Sequence, residues 1–135
     1  MALQLSETVR NARLDAIETA IGASAVLKIR TGPPPADVAT ADSGTVLATL
    51  TLPADWLAAA ASGSKAKAGT WEDLSADNPG TAAHFRIYAS NGTTPHVQGT
   101  VTATAGGGDM TVDNVVFAAG QAFTVNSFSI TDGNA

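Results

Sequence analysis

The sequence predicts a mainly β, single-domain antiparallel β-sandwich of jelly-roll type, led by one N-terminal α-helix. Three observations predict it. Apolar residues recur every three or four positions up to residue 21 and every second position from residue 25 onward. Six or seven alternating segments then follow at regular spacing, divided by Gly, Pro and Asn turn signals. No internal repeat interrupts them, so the chain divides into a helical arm over residues 1–24 and a sandwich domain over 25–135.

The helix is expected over residues 6–21. Ser6 is an N-cap, and Glu7 places a negative charge in the first turn, where the helix dipole favours it. Leu14, Ile17 and Ile21 form an apolar stripe, with Val9, Ala16 and Ala20 near the same side, and Gly22 supplies the residue that ends the helix. The opposite face carries Arg10, Asn11, Asp15 and Glu18. Such a stripe is buried either on the chain's own sheet or against another subunit.

Residues 25–31 alternate, and Gly32-Pro33-Pro34-Pro35 begins a stiff extended connection. Residues 45–52 alternate again, with Thr on the outer face, where its branched Cβ suits extended backbone. Pro53–Ser62 has the opening of a short helix, which dissolves into an exposed flexible loop over 58–69. An edge strand anchored by Trp71 is expected over 69–75, and Asp77-Asn78-Pro79-Gly80 is a turn. Residues 83–90 and 95–104 form a hairpin about Asn91-Gly92, with residue numbers summing to 183 opposed. Two final strands span 109–117 and 121–131, joined at Ala118-Ala119-Gly120.

Composition limits the core. Hydrophobic residues make up 44% of the 135, but 27 are Ala, and only four Phe, two Trp and one Tyr supply rings. Alanine buries little area, so the core is thin, and association with neighbours stabilises such a domain by mass action. The absence of cysteine removes disulfide staples, Cys-ligated zinc and thiol catalysis. No apolar run approaches the roughly 20 residues that span a bilayer, and the first fifteen residues lack the pattern of a signal peptide, so a soluble chain is expected. The net charge of −5 is uneven: residues 1–30 carry four bases against three acids, and residues 31–135 three bases against nine acids. An acidic body argues against a nucleic-acid partner, which needs clustered Lys and Arg.

The residues offer little chemistry. His84 and His96 stand on neighbouring hairpin strands, with His96 expected opposite Ile87, too far from His84 for a shared metal. Ser90 lacks a nucleophile elbow. Glu72 and Asp73 point to opposite faces of a strand, and Gly106-Gly107-Gly108-Asp109 lacks the lysine and helix of a phosphate loop. Asp132-Gly133-Asn134 holds part of a calcium-loop pattern without the remaining ligands. Trp56, Trp71 and Tyr88 are either a sugar-stacking platform or the rings that fill the core. Neither a catalytic residue nor a cofactor is expected.

The segments MALQLSETVRNARLDAIETAIG, LKIRTGPPP, HFRIY, GGGDMTVDN and FSITDGNA resemble a group of small structural proteins of tailed bacteriophages and prophages, over nearly the whole chain. The motifs are not catalytic, and no functional residue is carried over from the group. The resemblance implies a virion component made in the bacterial cytoplasm, most simply a capsid decoration (cement) protein. Its partners would be further copies of itself and the major capsid or other virion proteins, with no membrane involved. The expected contact elements are the helix and the loops 32–44 and 58–69. The contact residues would then be Arg10, Arg13, Leu14, Ile17, Ile21, Pro34, Lys65 and Lys67. A tail, collar or head–tail junction protein is the alternative of the same class, and a carbohydrate-binding adhesion module that of another class.

Overall fold

The computed structural model describes residues 3–134. One helix, α1 (Glu7–Ile21), precedes ten strands: β1 (Val26–Arg30), β2 (Val46–Thr51), β3 (Ser64–Ala66), β4 (Glu72–Asp73), β5 (Gly80–Thr81), β6 (His84–Tyr88), β7 (Pro95–Ala103), β8 (Met110–Val112), β9 (Val116–Phe117) and β10 (Phe123–Thr131). The chain is mainly β, with about 37% strand and 11% helix. Eight strands form one sheet in the order β2-β1-β6-β7-β8-β10-β3, with β4 also on β10, while β5 and β9 form a separate two-stranded ribbon.

The start of α1 follows its local chemistry. Ser6 Oγ accepts the Val9 N–H at 3.3 Å, and the Gly22 N–H donates to the Glu18 carbonyl at the other end. Leu14 and Ile21 are buried and Ile17 packs against the core, so the apolar stripe lies on this chain's own interior. The sheet's inner face supplies Leu27, Ile29, Leu47, Leu50, Phe85 and Ile87 to the same core. Trp56 and Trp71 complete it, with ring centroids 6.0 Å apart. Both indoles are buried, donating to the Gly22 and Ala68 carbonyls at 3.0 and 3.1 Å. Tyr88 is buried as well, so none of the three rings is available to stack on a sugar.

Several expectations are corrected. The sheet is mixed, because β7 and β8 run parallel, with Val101 opposite Met110 and Ala103 opposite Val112. The predicted strand over 109–117 is two strands on different partners: β8 joins β7 and β10, and β9 joins β5. The break falls at Asp113-Asn114, where Asn114 Oδ1 takes the Val116 N–H and turns the chain. Residues 53–62 form no helix. Leu57 bridges Lys67, and the Ala58 N–H donates to the Ala66 carbonyl, so the Ala run serves as backbone edge to β3. The hairpin keeps the sum-of-183 register through Tyr88 and Pro95, then bulges and sets Val97 rather than His96 opposite Ile87. Its loop is wider than two residues, with the Ala89 N–H donating to the Thr94 carbonyl.

Candidate functional site

Two surface segments draw the buried polar groups of the molecule together. The first is the seam between α1 and residues 57–65. The helix presents Glu7, Asn11, Asp15 and Glu18 at spacings of four, four and three, a polar stripe along one face. These side chains accept the backbone N–H groups of Ser62, Gly63, Ala60 and Leu57 respectively, at 3.0–3.4 Å. At the centre lies Lys65, 2% exposed, whose Nζ reaches Asp15 at 2.7 Å, Glu18 at 3.1 Å and the Ala58 carbonyl at 2.9 Å. Burial disfavours the Lys65 ammonium, but its bonds to Asp15 and Glu18 outweigh that and raise its pKa. The bond from Lys65 holds the Asp15 carboxyl below its usual range. The loop expected to be flexible is therefore docked, and Lys65 is an internal tie rather than a partner contact.

The second is the connection 32–44, which folds back over the outer face of β1 and β6. Asp42 joins three buried side chains there: Arg30 at 2.9 Å, Arg86 at 2.8 Å and the Tyr88 hydroxyl at 2.8 Å. Arg86 also donates to the carbonyls of Asp37 and Thr40 and to Gln98 Oε1, and Gln98 in turn donates to the Pro35 carbonyl. Every residue of β6 is consequently buried, with the core on one face and this connection on the other. Burial pushes the Asp42 carboxyl up, but the hydrogen bonds from Tyr88 and Arg86 and the charges of Arg30 and Arg86 more than offset it and hold the group low. Burial lowers the pKa of His84 and the neighbouring guanidiniums add to the effect; its Nδ1 donates to the Gly32 carbonyl at 2.7 Å. Among the described residues the Arg30 Nε and His84 Nε2 atoms are buried without a hydrogen-bond partner, and they belong to residues opposed across β1 and β6.

The structure distributes the eight candidate contact residues as follows. Leu14 and Ile21 are corrected to core positions, since the helix stripe closes on its own sheet, and Ile17 is partly buried beside them. Arg10 is half-buried: its Nε donates to the Leu5 carbonyl, and its guanidinium lies where a Cβ on Gly63 would project. Arg13 stays exposed and pairs with Asp132 at 3.2 Å, which takes the carboxylate that a calcium-loop reading would need. Pro34 is half-buried at the head of the folded-back connection, and Lys67 is half-buried with Nζ on the Gly69 carbonyl. The sequence reading missed Asp42, Arg30 and Arg86. One signal was visible: Lys28 and Arg30 on β1 and Arg86 on β6 share the face that alternation turns away from the core, and two arginines on one face call for an acid.

Among the described residues, no group of three His, Cys, Asp or Glu side chains is placed to hold a metal ion, and no helix is long and apolar enough to cross a membrane. The ionised groups that are buried act on backbone and on one another, which is the chemistry of fastening. No protein-family model, curated protein or solved structure matches the chain.

Proposed function

We propose that this chain is a structural protein of a bacteriophage virion, most simply a decoration protein that packs on the head lattice. The observation that favours this reading most is the locking of both long connections, 32–44 and 57–65, by internal ion pairs. A surface ordered before contact loses little conformational freedom on association, so modest areas suffice for binding. The helix and the β5–β9 ribbon, which add Ile21 and Phe117 to the core below the main sheet, serve in this reading as the second layer of a sandwich. Resemblance of the opening helix and of the GGGDMTVDN segment to phage structural proteins points the same way.

A particle experiment tests the proposal. Purified protein is expected to bind assembled heads, and heads lacking it are expected to open at lower temperature. Heads that neither bind the protein nor lose heat resistance without it would overturn the reading. Copy number separates the alternatives: hundreds per particle mean the head lattice, and multiples of three or six below about a hundred mean the tail axis or a junction.

A further inference from the structure

The connection 32–44 lies on the body through polar bonds more than through apolar packing. None of its residues is buried, and only Pro34, Pro35 and Val38 are half-buried, whereas Arg30, His84, Arg86 and Tyr88 beneath it are at most 6% exposed. Its neck closes on itself: the Thr31 N–H donates to the Thr45 carbonyl at 3.1 Å, and the Thr45 N–H donates to Thr31 Oγ1 at 2.9 Å. Gly32 and Gly44 flank that neck with φ of 77° and 73°, and a Cβ on Gly44 would run into the Thr31 carbonyl. Below the neck β1 and β2 are paired from Arg30 and Val46 onward, so the connection can swing on the two glycines without disturbing their register.

The fit beneath it is incomplete. Arg30 Nε and His84 Nε2 gain no hydrogen-bond partner among the described residues, and a buried polar atom without one keeps its full desolvation cost. His84 Nδ1 donates to the carbonyl of the hinge residue Gly32 at 2.7 Å, so Nε2 is the nitrogen that takes the next proton. The charges facing this ring are Arg30 on β1, Arg86 on its own strand and Asp42 on the connection. From β7 it meets the uncharged Thr100, whose hydroxyl is engaged by Asp109. A proton on Nε2 therefore sets a third buried cation beside two guanidiniums that share one carboxylate. Water relieves that charge at least cost by lifting the polar-bonded cover, because the apolar core below stays closed.

We propose that the connection 32–44 is a lid that opens in mild acid, and that the face it uncovers receives an extended acidic segment of another protein. The partner's chemistry is read from what occupies that face in the closed form. A single carboxylate, Asp42, enters between Arg30 and Arg86 beside the Tyr88 hydroxyl. Main-chain carbonyls of Pro35, Asp37 and Thr40 take the remaining donors of Gln98 and Arg86. No other side chain of the connection bonds to these donors among the described residues; Asp37 turns back onto Thr40. The face thus recognises an extended backbone and one acid, which a foreign acidic segment can supply in place of the lid. Protonated His84 adds a cation there, so the open form draws carboxylates more strongly than the closed one. Lid and receptor belong to this chain alone and do not depend on the virion reading.

Tyr88 is the only tyrosine, so its second-derivative ultraviolet absorbance reports the lid. On acidification from about pH 7.5 to about pH 5.5 that signal is expected to become that of a solvated phenol, while the fluorescence of buried Trp56 and Trp71 stays native. A fluorescent oligo-aspartate peptide is expected to bind about tenfold or more tightly at the lower pH. His84→Gln is expected to keep Tyr88 shielded and the peptide weakly bound at both pH values, and Asp42→Asn to bind it already at the higher one. Should either variant fail to fold, the wild-type titration decides alone. A Tyr88 signal that stays buried until the tryptophans unfold with it would overturn the proposal. So would a lid that opens without binding the peptide, or binding that rises equally in wild type and His84→Gln. A protein that passes these tests but ignores assembled heads would end the virion reading and leave this one.

Discussion

The two fastened segments are electrostatic opposites. In the seam under α1 one buried cation, Lys65, sits between two carboxylates, whereas over β6 one carboxylate, Asp42, sits between two buried guanidiniums. The positions of the minority charge differ as well. Lys65 is 2% exposed with partners that reach water, Asp15 at 50% and Glu18 at 20%. Asp42 is 38% exposed, and its partners Arg30 and Arg86 are at 8% and 1%. Removing the single charge therefore has unequal consequences: carboxylates left alone in the seam can hydrate, but guanidiniums left alone over β6 cannot. The seam also has four backbone bonds to helix side chains, while the connection depends on a single acid for its charge balance.

The largest effect is expected for Asp42→Ala. It leaves two buried cations without a counter-charge, and although Arg86 keeps its bonds to carbonyls and Gln98, a loss of about 3 kcal/mol is expected in urea unfolding. A loss below about 1 kcal/mol would break the comparison. Lys65→Met keeps the length of the stem and frees two hydratable carboxylates, so about 1–2 kcal/mol is expected by the same measurement. Equal losses in the two variants would show that solvent access does not set the difference.

Acid sharpens the comparison further. His84 has a folded pKa below its ordinary 6.5, so its neutral form favours the fold at neutral pH. That contribution falls away as pH drops below 6.5, where the unfolded chain takes the proton first, until the lowered folded value is passed. The charges around it are Arg30 on β1, Arg86 on β6 and Asp42 on the covering connection. Asp42 and Asp15 contribute above the ordinary Asp value of 3.8, and their share is lost as pH falls through their lowered values. Below pH 6.5 and above the ordinary Asp value of 3.8, hydrogen exchange is expected to show lost protection over 32–44 with protection over 57–65 retained. His84→Gln is expected to flatten that difference, and a loss spread evenly over both segments would refute it. A smaller effect than for Asp42→Ala is expected for Arg13→Ala: one charge rather than two is left alone, but the Asp132 carboxylate it leaves is 7% exposed, so about 1 kcal/mol is expected in urea unfolding, reduced in high salt through the 54% exposed guanidinium side of the pair.

Much of the local structure was legible. Ser6, Glu7 and Gly22 bracket α1 within a residue of where it lies, and the alternation over 25–31, 45–52 and 83–90 marks three of the four strands at the β2 side of the sheet. The polar face of the helix was legible as a face, but its role was not. Glu7 read as a first-turn charge, and Asn11, Asp15 and Glu18 only as the face opposite the apolar stripe, because nothing nearby in sequence binds them and their partners lie 39–55 residues away. The Ala run at 58–61 has helical composition, yet it sits against the backbone of β3, where small side chains allow close approach.

The sequence by itself determined α1 and the extended segments 25–31, 45–52 and 83–90, because periodicity and turn chemistry are properties of consecutive residues, and it left Trp56, Trp71 and Tyr88 between a core and a sugar platform. Tertiary structure alone decided that β8 runs parallel to β7 and stops short between longer neighbours, and that Lys65 and Asp42 become internal ties. The reason is physical: the sign and solvation of a charge depend on groups brought near by the fold, here 44 residues away for Asp42 and Arg86 and 50 for Asp15 and Lys65, and no local pattern encodes that distance.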